Sequence, residues 1–130
     1  AGAATLVFHR AIDATPDPVA VLDAVRAVGV GRVLTSGGAA RSVDGLAMLA
    51  RLVRERGDIK IMAGGGIRTE DIPAIAATGV DAVHLSARAV AGAEAPSGPG
   101  GGAPGHDVTD ASLVRAAREA VQVARDTLGA

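Results

Sequence analysis

The sequence predicts an α/β fold of four parallel β/α units of the TIM-barrel type. Four short apolar runs, TLVF at 5–8, RVLT at 32–35, IKIM at 59–62 and AVHL at 82–85, are each followed by a longer stretch with helical spacing. Their centres, Val7, Val33, Ile61 and Val83, recur every 22 to 28 residues, a β/α repeat whose right-handed crossovers make the strands parallel. All but the third run are near-continuously apolar, as expected of strands covered by helices. A complete eight-unit barrel takes about 250 residues, or about 31 per unit, so the 130 residues here hold half of one.

The first helix opens in TPDPVAVLDAVRAVG. Thr15 is the expected N-cap and Pro16 the first helical residue, and Val19, Leu22, Val25 and Val28 fall near 3.6 spacing before Gly29 ends it. The second, roughly 41–56, sets Val43, Leu46, Leu49 and Val53 on one face. It gathers Arg51, Arg54 and Arg56 at its C-terminal end, where cations suit the dipole, and places Arg51 four residues before Glu55. The third, TEDIPAIAATG, has Thr69 as N-cap and Gly79 at its end; TDASLVRAAREAVQVARDTLG is punctuated similarly. Between the fourth strand and the last helix, AGAEAPSGPGGGAPGHD at 91–107 is too poor in bulky side chains to form a core. It reads as a flexible linker or, second, as a mobile loop at the strand mouth. One partial barrel domain over 1–130, with 91–107 as its flexible segment, is the expected organisation.

Composition narrows the partners. The hydrophobic 48% is almost wholly aliphatic, and Phe8 is the sole aromatic residue, so bases have no stacking platform. A net charge of −1 gives no field to hold a phosphate backbone or an anionic membrane, and no apolar run approaches a membrane span. Neither nucleic acid nor membrane is expected. The absence of Cys excludes disulfides and thiolate metal sites within the chain and fits the cytoplasm. The chain opens on Ala1 and enters a strand pattern almost at once, as if begun partway through a longer text.

Ligands of parallel α/β sheets bind beyond the carboxyl ends of the strands, which here carry HRAID, TSGG, AGGGIR and HLSAR. Strand parity turns Leu6, Phe8, Val83 and Leu85 toward the helices and leaves Val7, His9, His84 and Ser86 on the inner side. The two imidazoles are candidates for one shared cavity, or each is simply hydrogen-bonded within it. Arg10 and Asp13 orient an anionic substrate or pair with each other; Thr35 and Ser36 donate to an anion or cap the following backbone. Gly64, Gly65 and Gly66 let the backbone approach a ligand and form an anion-binding nest, or only make a tight turn. With Arg68, Ser86 and Arg88 they match the phosphate site that barrels build after their last two strands. The candidate catalytic residues are His9, Arg10, Asp13 and His84, and the candidate anion-binding residues Ser36, Gly64, Gly65, Gly66, Arg68, Ser86 and Arg88. His9 and His84 are the only candidate metal ligands, since Met62 reads as core and His106 falls in the flexible stretch.

TLVFHRAIDATPDP, RVLTSGG, IMAGGGIR and VHLSA, in this order and spacing, closely resemble the CutC family, named for copper homeostasis. The resemblance runs from about residue 5 to 90 and weakly through the last helix; Ile12 stands where the family commonly has Phe. It implies a complete β/α barrel of which these motifs are the second half, a cytoplasmic location, and a mouth lined by His9, Arg10, Asp13, Ser36, Gly64 to Gly66, Arg68, His84 and Ser86. It also implies an association with copper, as Cu(I). Copper proposals for the family lean on cysteines, and this chain has none. Three functions follow: copper binding at the mouth, an enzyme acting on a small phosphorylated or carboxylated metabolite, or an inactive fragment. A half barrel exposes two strand edges and an inner face, so the expected partner is a second copy or a separate N-terminal half-barrel, unless the chain is a truncated product.

Overall fold

A computed structural model describes residues 4–90 and 107–129; residues 91–106 of the segment read as a linker lie outside them. Four strands, β1 (Val7–Phe8), β2 (Arg32–Thr35), β3 (Lys60–Gly64) and β4 (Ala82–His84), form one parallel sheet in the order β1-β2-β3-β4. The register aligns Phe8 with Val33, Val33 with Ile61 and Ala63 with Val83. Consecutive strands are neighbours, so every crossover returns over the same face. Helices α1 (Pro18–Ala27), α2 (Leu46–Glu55), α3 (Ile72–Ala76) and α4 (Ala111–Gly129) supply that cover.

The core follows the strand period of two. Val33 and Ile61 pack with Ile12, Leu22, Val25 and Leu52, and Phe8 leans on the same cluster. Ala63 packs with Leu49, Ile67, Ile72, Ile75 and Ala117, with Val83 and Leu85 against them. The intervening residues Val7, Leu34, Met62 and Ala82 face the other way, and neither core cluster includes them. Met62 thus departs from the expected core position. Leu6 also departs: it precedes the two-residue β1 at the sheet edge and is 55% exposed, while its carbonyl accepts from Gly31 N and Arg32 N.

Helix starts differ from expectation for reasons of capping. Asp17, not Thr15, caps α1, its carboxylate accepting from Ala20 N at 3.1 Å with Pro18 as the first helical residue. Thr15 instead donates to Ile12 O, closing a 3₁₀ turn at Arg10–Ala14. Similar turns, Ser42–Gly45 and Thr69–Asp71, precede α2 and α3, and the Asp71 carboxylate accepts from Arg68 N at 2.9 Å. Arg51 and Glu55 do not pair; the Glu55 carbonyl accepts from Arg26. Two short strands not expected from the pattern, β5 (Arg88–Val90) and β6 (Asp107–Thr109), make an antiparallel ladder that leads into α4. Asp110 caps α4 by accepting from Ser112 N and Leu113 N, and α4 packs along α3.

Leu52 is fully buried between helix and sheet, whereas Val28 is 71% exposed at the end of α1. Urea unfolding should show Leu52→Ala losing about 2–5 kcal/mol, the cost of a core cavity, and Val28→Ala changing stability by less than about 0.5 kcal/mol.

Candidate functional site

The polar residues at the carboxyl ends of the strands divide into three places. In the first, the Asp13 carboxylate sits where the TSGG turn leaves β2. Thr35 Oγ1 donates to its Oδ1 at 2.5 Å, Ser36 N to Oδ2 at 3.0 Å, Gly38 N to Oδ1 at 3.2 Å and Arg10 Nε to Oδ2 at 3.0 Å. Ser36 Oγ divides its one proton between Ala39 O at 2.6 Å and Asp13 Oδ2 at 3.0 Å, and accepts from Arg10 Nη2 at 3.1 Å. Thr35 Oγ1 in turn accepts from Gly37 N. Burial works against ionisation of Asp13, but the hydrogen bonds from Thr35, Ser36 and Arg10 outweigh it and hold the carboxyl below its ordinary range. The donors expected to receive an external anion are thus engaged by a carboxylate of the chain itself.

Close backbone approach explains the glycines here. Gly37 has φ +74°, and a Cβ on it would stand 2.3 Å from Gly45 O. Gly65, at φ +140°, lays its bare face against Ser36 Cβ and the Arg10 guanidinium, and its carbonyl accepts from Ser42 N at 2.8 Å. The loops after β1, β2 and β3 are therefore in contact. Buried Ser42, not singled out in the sequence, has an Oγ with no partner among the described residues.

The second place is a pocket of about 310 Å³ between the loop after β3 and the loop after β4, lined by Arg68, Thr69 and Glu70 on one side and Ser86, Ala87 and Arg88 on the other. Arg88 donates from Nε to Ser86 Oγ at 3.1 Å and from Nη1 to Asp107 at 2.8 Å. Arg68, Ser86 and Arg88 come together as expected, but the Gly64–Gly66 run and Ser36 do not line this pocket. In the sequence TED at 69–71 marks only the start of a helix, and no periodicity marks Thr69 and Glu70 as pocket walls.

The third place is the pair of histidines. His9 follows β1 and His84 ends β4, the two edges of the sheet. Three strand spacings of about 4.8 Å put their backbones about 14 Å apart, with Leu34 and Gly64 on the strands between. They are not neighbouring ligands, and among the described residues no three His, Cys, Asp or Glu side chains gather to hold a metal ion. No helix among them is long and apolar enough to cross a membrane. A larger apolar cavity of about 710 Å³, with Ile72, Val80, Val83, Val121 and Leu128 in its walls, lies between α3, β4 and α4, and none of the candidate residues lines it.

A model of the CutC family matches residues 1–89. The chain is 44% identical over 99 residues to a CutC family protein of Xanthomonas axonopodis pv. citri, covering 75% of this chain and 41% of that protein. It is 41% identical over 134 residues to a CutC family protein of Chromobacterium violaceum, covering 95% of this chain and 54% of that one. The chain thus spans about one third to one half of the curated relatives it matches. A solved structure from Streptococcus agalactiae, described as that of a copper homeostasis protein CutC, superposes with a TM-score of 0.58 at 32% identity over 62% of this chain and 41% of that one.

Asp13→Ala should cost about 2–4 kcal/mol in urea unfolding, because it leaves buried Thr35 and Ser36 donors unpaired. The folded carboxyl is lowered from its ordinary value of 3.8, so its stabilisation is complete above that pH and is lost as pH falls through the still lower folded value. Accordingly, the stability gap between the wild type and Asp13→Asn should narrow as pH drops below 3.8. Ser42→Ala, which removes an unpartnered buried hydroxyl, should leave the unfolding midpoint unchanged or raise it.

Proposed function

The chain belongs to the CutC family, and from that premise we propose that it serves copper homeostasis in the cytoplasm as the second half of a β/α barrel closed by a complementary half. One observation carries the reading: the parallel sheet is covered by helices on a single face. Parallel strands are ordinarily buried on both faces. Here Val7 is 50% exposed on the other face, and among the described residues neither β1 nor β4 has a partner on its outer edge. A barrel removes both features at once, because closure pairs the edges and encloses the inner row of Val7, Leu34, Met62 and Ala82.

In such a barrel Asp13 and Arg10 build the mouth by bracing one another and the TSGG turn. His9, just past the end of β1, and His84, at the end of β4, stand at the mouth of that volume. The described residues of this chain do not themselves fit a copper site. It has no Cys, its two candidate imidazoles stand on opposite sheet edges, and Met62 lies on a strand between them. Soft donors for Cu(I) would therefore come from the complementary half, with copper as cargo of the assembled barrel.

Light scattering at tens of micromolar should show a dimer, a larger homo-oligomer or a complex with a chain that supplies the other units. A monodisperse monomer that unfolds cooperatively would overturn the half-barrel reading. In an anaerobic titration against a chromogenic chelator, the isolated chain should not compete for Cu(I). Tight stoichiometric binding abolished by His9→Ala with His84→Ala would place the copper donors in this chain instead.

A further inference from the structure

We propose that the pocket between the loops after β3 and β4 binds a small phosphate monoester that carries hydroxyl groups. Its volume of about 310 Å³ lies at the small end of the range for ligand pockets, room for a phosphate and a few carbons. The inference rests on this pocket alone and is independent of copper and of barrel closure.

The wall chemistry selects the ligand. The lining residues include two guanidinium side chains, Arg68 and Arg88, and one carboxylate, Glu70, with Asp107 paired to Arg88 from outside the wall. Arg68 makes no side-chain hydrogen bond or ion pair among the described residues, unlike Arg41, which is bound to Asp71. Arg88 is already aimed: Asp107 and Ser86 hold two of its five N–H donors, leaving the rest of the fork for an anion. Paired guanidinium groups match the oxygens of a phosphate dianion in charge and geometry. Thr69 and Ser86 add hydroxyls that donate to the same oxygens. Glu70 would repel a bare anion, but it accepts well from an alcohol, which is why the ligand carries hydroxyls as well as phosphate.

Backbone geometry supports the assignment. Ala87, between Ser86 and Arg88, has φ +44°, the one left-handed non-glycine residue among those described. Such strain persists only where surrounding structure imposes it, and it clusters at ligand sites. Here the Ala87 carbonyl accepts from Asp110 N at 2.9 Å, fixing the turn to the start of α4. That turn sets Ser86 and Arg88 on the pocket wall opposite Arg68.

The test is a titration of the ¹⁵N-labelled chain with glycerol 2-phosphate, followed by amide shifts. Perturbations should centre on residues 67–70 and 86–88. Arg68→Gln should weaken binding about tenfold, as expected for loss of one charged hydrogen bond, and Ser86→Ala should weaken it measurably. Arg51→Gln, an exposed change on α2, should leave it intact. Inorganic phosphate should bind more weakly and glycerol not at all. Undiminished binding by Arg68→Gln, perturbations centred on residues 35–38, or no perturbation up to tens of millimolar would overturn the site. Equal affinity for inorganic phosphate would overturn the role of Glu70.

Discussion

The Asp13 carboxylate is the interaction on which the strand mouth depends. The TSGG turn brings two hydroxyls and several amides into a space closed to water, and Thr35 and Ser36 are fully buried. Donors so placed destabilise a fold unless an acceptor meets them. Asp13 meets most of them from 22 or more residues away in sequence. Arg10 then neutralises the charge and reaches Ser36, and Gly65 fits against both because it has no side chain. One ionised group thus binds the loops of three successive units into a rim.

A similar device works at the opposite end of the strands. The Asp81 carboxylate accepts from Ile61 N while Asp81 N donates to Ile61 O, which clamps the approach to β4 against β3. Arg56 and Lys60 supply its counter-charges. Both ends of the sheet are therefore tied by aspartates that reach across to a neighbouring strand. The middle is held by aliphatic packing on one face alone, and the inner row of the sheet contributes nothing to that packing.

Most of the architecture is legible in the chain because four apolar runs at regular spacing have one simple solution. Strand parity likewise places Phe8, Val83 and Leu85 on the helix side, and it fails at Leu6, which lies before β1 where the period of two has not begun. Boundaries read less well. At TPDP two caps and two prolines compete, and Asp17 with Pro18 prevails because Thr15 closes the preceding turn. The ladder of β5 and β6 is too short to show a pattern. For the site, HRAID and TSGG were each visible, but not that the aspartate of one fills the turn of the other, a contact between distant segments. Parity does not give strand order, and it is strand order that sets His9 and His84 at opposite edges of the sheet. Thr69 and Glu70 carry the pattern of ordinary helix punctuation, which conceals their place in the pocket wall.

The β5–β6 ladder bears on how the chain can change over generations. Val90 pairs with Asp107, so residues 90 and 107 are neighbours. α4 is then positioned by the ladder, by the Asp110 cap and by its contact with α3, and not by the length of sequence between. Doubling the length of a connection whose ends are already joined costs only about 0.6 kcal/mol. Insertions and deletions at this point should therefore accumulate freely among descendants of the gene, while the ladder residues and the rest of the fold drift far more slowly.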